Sequence, residues 1–447
     1  KPQCGKIMLG DTIVARATPR GFSSVSVIRL SGPGSVGLAK KIARTKAHLS
    51  VRVATLFPIF SSDGIKIDSA VFTFFKGPKS YTGEDVVEIS CHGNPFIGDS
   101  VINRLCELGA RTAEPGEYTK RAFLSGKIDL VQAESIGLLI SSRSSEIAKK
   151  QSMILDGHLS KSIESLRASL LKALANLEFE FDMSEDENLR PSLKKDLFKL
   201  LKNNGLSVED LLSTYSEGRV YNEGIRVVLC GQPNAGKSTL MNALLGVNRS
   251  IISPVPGTTR DTITSDLVLG GVPITLIDTA GIDRSKNQIE AQGITRAKTE
   301  IKNADIVLSV FSGDTKALDY IEDKEQITVF NKVDKYPSPN LPPGSCSVSA
   351  IKNKGIESLK KLIEKKVLSI TLNSNDVFLN TIRQKNSLTN CLGFLKKASS
   401  NIEKSEPLYE LAAADIRSSI DCLEVFLGKT TTEEVLSEVF SGFCVGK

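Results

Sequence analysis

The residues whose chemistry is clearest lie mid-chain. Gly231-Gln232-Pro233-Asn234-Ala235-Gly236-Lys237-Ser238 fits the pattern GxxxxGK[ST]. A short apolar run, Ile225 to Cys230, precedes it, and Leu240, Ala243 and Leu244 follow at helical spacing. The octet is therefore predicted to sit between a strand and a helix, the context in which this motif cradles phosphates. Its glycines let the backbone curl its N–H groups around the anion. Lys237 reaches the β- and γ-phosphates, and the Ser238 hydroxyl ligates Mg²⁺. Ala235, Gly236 and Thr239 complete the nucleotide contacts.

Three further segments acquire meaning from their order. Pro256-Gly257-Thr258-Thr259-Arg260-Asp261 offers a second hydroxyl for Mg²⁺, assigned to Thr259. An apolar run, Ile274 to Ile277, ends in Asp278-Thr279-Ala280-Gly281. There Asp278 reaches the metal through water, and the Gly281 N–H can sense a γ-phosphate. A second run, Ile327 to Phe330, ends in Asn331-Lys332-Val333-Asp334. The Asp334 carboxylate can accept two hydrogen bonds, from guanine N1–H and the exocyclic amine. Adenine lacks that donor pair, so GTP is expected over ATP. Ser349-Ala350 is expected to support guanine through a main-chain N–H. Each tetrapeptide alone is weak; four at successive strand ends predict an α/β P-loop GTPase domain over residues 222–372, with its ligand at the carboxyl ends of the strands.

Catalysis needs a group that orients water. Ras-type enzymes place Gln directly after the DxxG glycine, but here that residue is Ile282, which cannot hold water. The polar segment from Asp283 to Gly293 carries one glutamate, Glu290. Its carboxylate could position water; a solvated glutamate at a helix start is an equally good reading of the residues alone. The Asn234 amide oxygen could bind a monovalent cation in place of an arginine finger, with Ser253 and the Val255 carbonyl nearby, since hard cations take oxygen ligands. The alternative is that Asn234 only bonds its own loop.

The elements that position this chemistry come next. At 447 residues the chain suggests about three domains. Hydrophobic residues at 40% and charged residues at 24% indicate a globular chain rather than a disordered one. No apolar run approaches the roughly 18 residues of a membrane span, and the first residues are not of signal-peptide type. A net charge of +6 permits an RNA partner without demanding one. Eight scattered cysteines without a CxxC pair argue against zinc and a disulfide framework, and fit a cytoplasmic location. No GxGxxG opens a helix, so the chain is not expected to hold FAD itself.

Before residue 127, short β-like runs (Val25 to Leu30, Ala70 to Phe75, Val86 to Ser90) alternate with a helix near Ser100 to Leu108, an α+β pattern. After Lys127 the chain turns helical. Ile163, Leu166, Leu170, Leu174, Leu177 and Phe181 form one apolar stripe, and Leu408, Leu411, Ile416, Ile420, Leu423 and Phe426 a second. With no sheet to cover either, the two sets are expected to pack together as core, with the GTPase domain inserted between them. The predicted organisation is an N-terminal α+β domain over 1–126, a discontinuous all-α domain over 127–221 and 373–447, and the inserted domain. Cys444 stands fourth from the end, but Gly446 and Lys447 do not suit prenylation. It could act chemically or only position the tail.

Four signatures outside the central motifs give the chain a resemblance. They are Asp11-Thr12-Ile13-Val14-Ala15 with Val27-Ile28-Arg29-Leu30-Ser31-Gly32; Tyr81-Thr82-Gly83-Glu84-Asp85-Val86-Val87-Glu88 with Cys91-His92-Gly93; Glu114-Pro115-Gly116-Glu117-Tyr118-Thr119-Lys120-Arg121 running on to Lys127-Ile128-Asp129-Leu130; and the terminal Phe443-Cys444-Val445-Gly446-Lys447. Over nearly its whole length the sequence resembles the bacterial MnmE/TrmE family of tRNA modification GTPases. The resemblance implies a K⁺-dependent GTPase that dimerises and works with a FAD-binding partner (MnmG/GidA). Together they place an aminomethyl-type group (carboxymethylaminomethyl) at carbon 5 of the tRNA wobble uridine. The one-carbon donor is 5-formyltetrahydrofolate or a related tetrahydrofolate. By the same resemblance Asn234, Ser253, Val255 and Thr258 are K⁺ and GTP-loop positions, Ser238 and Thr259 hold Mg²⁺, and Glu290 is the catalytic glutamate. Arg29, Glu88, Lys127 and Lys447 are folate-binding positions; a pterin needs a carboxylate for its N–H pair, and cations suit its acidic tail.

Two departures stand out. Pro19-Arg20-Gly21-Phe22-Ser23-Ser24 replaces a more glycine-rich stretch, which bears on the folate pocket or the dimer edge, and Ser349-Ala350-Ile351 lacks a basic third residue. Two rival functions are a ribosome-assembly switch that binds RNA without folate, and a folate aminomethyltransferase that does not hydrolyse GTP.

Overall fold

A computed structural model describes residues 10–183, 191–246, 263–278, 299–313, 324–338, 340, 342–371 and 377–446. By its contacts the chain divides into two compact units, one of Lys1–Gly137, Ser160–Ser165 and Ile420–Lys447, the other of Leu138–Leu159 and Leu166–Ser419.

The first unit is built on a six-stranded sheet of β1 (Ile13–Arg16), β2 (Val25–Ser31), β3 (Thr55–Phe60), β4 (Lys66–Phe75), β5 (Val86–His92) and β6 (Arg111–Thr112), in the order β3-β4-β5-β2-β1-β6. Only β1 and β6 pair in parallel. Side-chain alternation sorts its two faces. Val14, Ile28, Leu30, Phe72 and Ile89 join Val101 and Leu105 in one core. These last two come from a helix, α2 (Pro95–Glu107), that follows α1 (Ser35–Ile42). Pro95 suits the α2 start, where no N–H is needed, and Asn94 caps it by accepting from Phe96 N. On the opposite face Ile13 and Ala15 meet Tyr118 of α3 (Glu117–Leu124).

Arg121 of α3 is only 1% exposed. Its guanidinium meets Asp11, Glu84 and Glu117, with Arg121 Nη2 to Glu117 Oε1 at 2.9 Å. Arg111 closes the group, 2.7 Å from Asp11 Oδ2 and 2.6 Å from Glu117 Oε1. Burial alone would raise both carboxyl pKa values, yet hydrogen bonds and charge from Arg111 and Arg121 hold Asp11 and Glu117 below their usual range. Carboxylates depressed in the folded state stabilise it above their unfolded pKa values; that stability is lost as pH falls through the folded values. We expect the urea midpoint of this unit to be flat above about pH 5 and to fall below it. Arg121→Leu leaves buried Glu117 with Arg111 as its remaining ionic partner and should cost about 3 kcal/mol, the low end for breaking a buried charge group. A midpoint shift near zero would deny the network a structural role.

Two helices of this chain, α4 (Leu130–Ser141) and α5 (Ser145–Leu155), precede the long α6 (His158–Met183), α7 (Pro191–Ser213) and α8 (Tyr215–Glu223). In α6 the expected stripe is buried at Ile163, Leu166, Leu170, Leu174 and Leu177; Phe181 lies outside the residues whose side chains are described.

The second unit carries another six-stranded sheet: β7 (Ile225–Cys230), β8 (Ile263–Leu269), β9 (Val272–Asp278), β10 (Ile306–Phe311), β11 (Glu325–Phe330) and β12 (Cys346–Ser347). Its order is β12-β11-β10-β7-β9-β8, parallel except for β8 against β9. With β7 flanked by β10 and β9, the chain reverses its direction of travel across the sheet at β7. That makes the carboxyl end of β7 the natural crevice for a ligand. Helices α9 (Lys237–Leu245) and α10 (Ile356–Thr371) accompany this sheet; α11 (Ile382–Glu403), α12 (Tyr409–Leu427) and α13 (Glu433–Ser441) follow.

The α/β domain is an insertion. Helix α7 from before it packs along α11 from after it. Its two flanks are held together by amides: Gln151 Nε2 donates to Asn222 Oδ1 at 3.1 Å and to Asn380 Oδ1 at 3.0 Å. Lys150 Nζ reaches buried Glu217 at 2.9 Å. A side chain on Gly218 would run into the Leu379 carbonyl, so the flanks touch backbone to backbone. One expectation is corrected. Leu408 and Leu411 are exposed, whereas Ala412, Ile416, Ile420, Leu423 and Phe426 are buried. Leu411 is five residues before Ile416, which rotates it about 140° off the buried face at 100° per residue.

Candidate functional site

The phosphate loop is shaped by three residues in the left-handed region: Gly231, Asn234 at φ 67° and Gly236 at φ 89°. A side chain at Gly231 would collide with the Val310 carbonyl, and one at Gly236 would strike the Asn331 amide at 2.5 Å. Asn331 needs that space, because its Nδ2 donates to Ala235 O at 3.1 Å. The phosphate loop and the guanine loop are thus tied directly to one another. Lys237 is buried at the first turn of α9, and its Nζ donates to Gly231 O at 2.7 Å and Gln232 O at 3.2 Å. The ammonium is held over the loop where phosphate oxygens would take over these contacts. Thr239 follows, exposed in the same turn, where N–H groups lack intrahelical partners.

Ser238 Oγ donates to Asp278 Oδ2 at 2.6 Å, and Asp278 is fully buried at the end of β9. A hydroxyl against a carboxylate is a hard-oxygen pair, which fits Mg²⁺. Thr259, Ser253, Val255, Thr258, Thr279, Ala280, Gly281 and Glu290 lie outside the described residues. Of the expected K⁺ ligands, Asn234 alone is placed; it is exposed, on a loop turn.

At the base-reading end, Asn331 Oδ1 accepts from Lys332 N at 2.8 Å and Ala350 N at 3.2 Å. Ser349 Oγ donates to Asp334 Oδ1 at 2.6 Å. That hydrogen bond is the main reason the Asp334 carboxyl sits below its usual range. It keeps the group ionised and aimed, as a double acceptor for guanine must be. The Ser349 N–H is itself bonded to Lys354 O, so the support seen here runs through the Ser349 hydroxyl.

A separate cavity of about 390 Å³ opens in the first unit, lined by Glu88, Lys127, Tyr81, Arg52 and Lys79 among others. Glu88 pairs with Arg29 at 2.8 Å, and the Arg29 guanidinium lies 5.1 Å from the centre of the Tyr81 ring. The carboxylate, the cations and the volume fit a pterin with an acidic tail. In the same unit the chain end folds onto the N-terminal sheet region. Val445 bridges Pro115, Gly116 N donates to Cys444 O at 3.4 Å, and Gly446 at φ 101° lies against the Arg16 carbonyl with no room for a side chain. Cys444 is exposed; Lys447 lies outside the described residues.

Comparison with known proteins agrees with this geometry. The profile described as "GTP-binding protein TrmE N-terminus" matches residues 12–127, and "MnmE helical domain" matches residues 130–444. The "tRNA modification GTPase MnmE" of Aquifex aeolicus (strain VF5) is 38% identical over 449 residues, 98% of this chain and 100% of that protein. The protein of the same name from Akkermansia muciniphila is 38% identical over 98% of this chain and 99% of its own. The chain belongs to the MnmE family.

The MnmE helical match runs from one side of the central α/β domain to the other, as an insertion requires. The MnmE family is one of GTP hydrolases. Among solved structures, the G domain of the Thermotoga maritima FeoB iron transporter matches 32% of this chain and 98% of its own at 24% identity, with a TM-score of 0.25. Sequence reading missed Arg52, Lys79 and Tyr81 as cavity walls. Lys79 and Tyr81 share the loop between β4 and β5 while Arg52 precedes β3, and the only trace in sequence is that Tyr81 opens one family signature.

Proposed function

We propose that this chain is a K⁺-dependent GTPase of tRNA modification. As a cytoplasmic homodimer it works with a FAD-binding partner of the MnmG/GidA type to install an aminomethyl-type group, as in carboxymethylaminomethyl, at carbon 5 of the wobble uridine. Residues 1–126 form the folate-binding and dimerising domain, 127–221 with 373–447 the helical domain, and 222–372 the GTPase domain. Family membership supports the GTP and tRNA assignments. The single observation that carries the one-carbon donor is the Glu88–Lys127 cavity in the same chain as a complete phosphate and guanine loop.

Asp334 selects guanine, while Lys237 and the loop amides hold the β- and γ-phosphates. Ser238 and Thr259 would hold Mg²⁺, which would supply positive charge to offset that of the phosphates. Glu290 orients water for attack on the γ-phosphorus, releasing GDP and phosphate. Asn234, Ser253, Val255 and Thr258 would hold K⁺, which supplies the positive charge of an absent arginine finger. Glu88 and Arg29 orient the pterin end of 5-formyltetrahydrofolate or a related donor; Lys127 and Lys447 hold its acidic end. Cys444 stands at the docked tail, placed to act on the substrate or to position the tail.

An arginine finger is worth ~10³–10⁵ in rate, so turnover in Na⁺ should fall at least about tenfold below that in K⁺. Equal rates would remove the cation role of Asn234. The whole reading is tested by reconstitution with partner, unmodified tRNA, GTP and carbon-labelled 5-formyltetrahydrofolate. Label at the wobble base only when GTP turns over is the expected result. Labelling without hydrolysis, or hydrolysis with no transfer from folate, would overturn it.

A further inference from the structure

The charge of the Glu88 cavity is lopsided. Glu88 is matched by Arg29, which leaves Arg52, Lys79 and Lys127 as excess cations. All three are exposed, and among the described residues none is ion-paired. They converge on one loop: the Arg52 guanidinium donates to Lys79 O at 3.0 Å and Lys127 Nζ to Pro78 O at 2.9 Å. Arg52 is also held at φ 60°, a conformation uncommon outside glycine and asparagine, and pinned there by its N–H to Phe74 O at 2.7 Å. A long cationic side chain kept in an unfavourable backbone state beside a cavity points to use by a ligand.

We propose that Arg52 and Lys79 read an oligo-anionic tail, the γ-linked glutamyl chain of a folate, so that the protein prefers polyglutamylated donor. This rests on the folate reading above and adds a specificity to it. A monoglutamate presents two carboxylates, and each further γ-glutamyl residue adds one more. With Lys127 at the first of them, Arg52 and Lys79 gain partners only as the tail lengthens. Because the cations are exposed, the gain is electrostatic and screened by salt.

The test is calorimetric binding of 5-formyltetrahydrofolate mono- and triglutamate to the full chain at 50 and 500 mM KCl. We expect the triglutamate to bind roughly tenfold tighter at low salt, with the difference shrinking at high salt. Arg52→Asn with Lys79→Gln should abolish the preference, with asparagine tolerating the backbone at position 52. Monoglutamate affinity should stay within about threefold and GTP turnover unchanged, which also certifies folding. Charge-retaining Lys79→Arg should keep the preference. Equal affinities in the unaltered protein, or a preference that survives the double substitution, would overturn the proposal while leaving folate binding intact. Failure of both folates to bind would remove the folate reading and this inference together. Loss of binding to an anticodon stem-loop in the double variant, with the tail preference kept, would assign the cations to RNA instead.

Discussion

Asp334→Asn is expected to lower GTP affinity by about 10²–10⁴-fold and to create affinity for xanthosine triphosphate. The carboxylate accepts two charge-assisted hydrogen bonds from guanine, each worth roughly 1.5–3 kcal/mol, and 1.4 kcal/mol is tenfold. Asparagine keeps one acceptor for N1–H and turns the other into a donor, which suits the carbonyl that xanthine carries in place of the amine. The fold should survive, because Asp334 is only half-buried and its structural partner, Ser349 Oγ, can donate equally to an amide oxygen. Titration with both nucleotides decides it: unchanged GTP affinity would refute the assigned contact.

Glu290→Ala should reduce GTP turnover by about 10²–10⁴-fold, the range of a positioned general base, and leave GTP affinity within a few-fold. The reasoning is subtractive. Ile282 stands where a water-orienting glutamine would be, and the only glutamate from Asp283 to Gly293 is Glu290. A group that acts only on the attacking water contributes to the transition state and not to nucleotide binding, so kcat falls without KM rising. Turnover at the unaltered rate would exclude Glu290 from the mechanism.

The legible parts of this molecule are those where local sequence sets local geometry. The phosphate loop could be read because glycines at 231 and 236 are required by backbone that approaches Val310 and Asn331. The strands β7, β9 and β11 were legible because buried parallel strands read as unbroken apolar runs. The α6 stripe was legible for its period. What escaped was non-local. Strand β6 has two residues and exists because β1 offers it an edge. The Arg121 cluster joins residues up to 110 apart in sequence, and no period marks them. Leu408 and Leu411 misled because they are apolar and close to a true stripe, but Leu408 precedes the helix, which begins at Tyr409, and Leu411 is out of phase with the stripe. Arg52 and Lys79 carry no motif; the β4–β5 reversal brings Lys79 to Glu88, and the bond of the Arg52 N–H to Phe74 O brings Arg52. The contacts between Asn331 and Ala235 and between Ser349 and Asp334 likewise needed the fold, although each residue was singled out beforehand.

The most direct test of the central claim, that guanine-nucleotide turnover in this chain serves a modification of tRNA, is mass analysis of wobble nucleosides. The tRNA would come from cells deleted for this gene and complemented with the unaltered chain or with Glu290→Ala. The account predicts that the carbon-5 aminomethyl-type group disappears on deletion, returns with the unaltered chain and does not return with the variant. Wobble uridines fully modified in the deleted cells would contradict it.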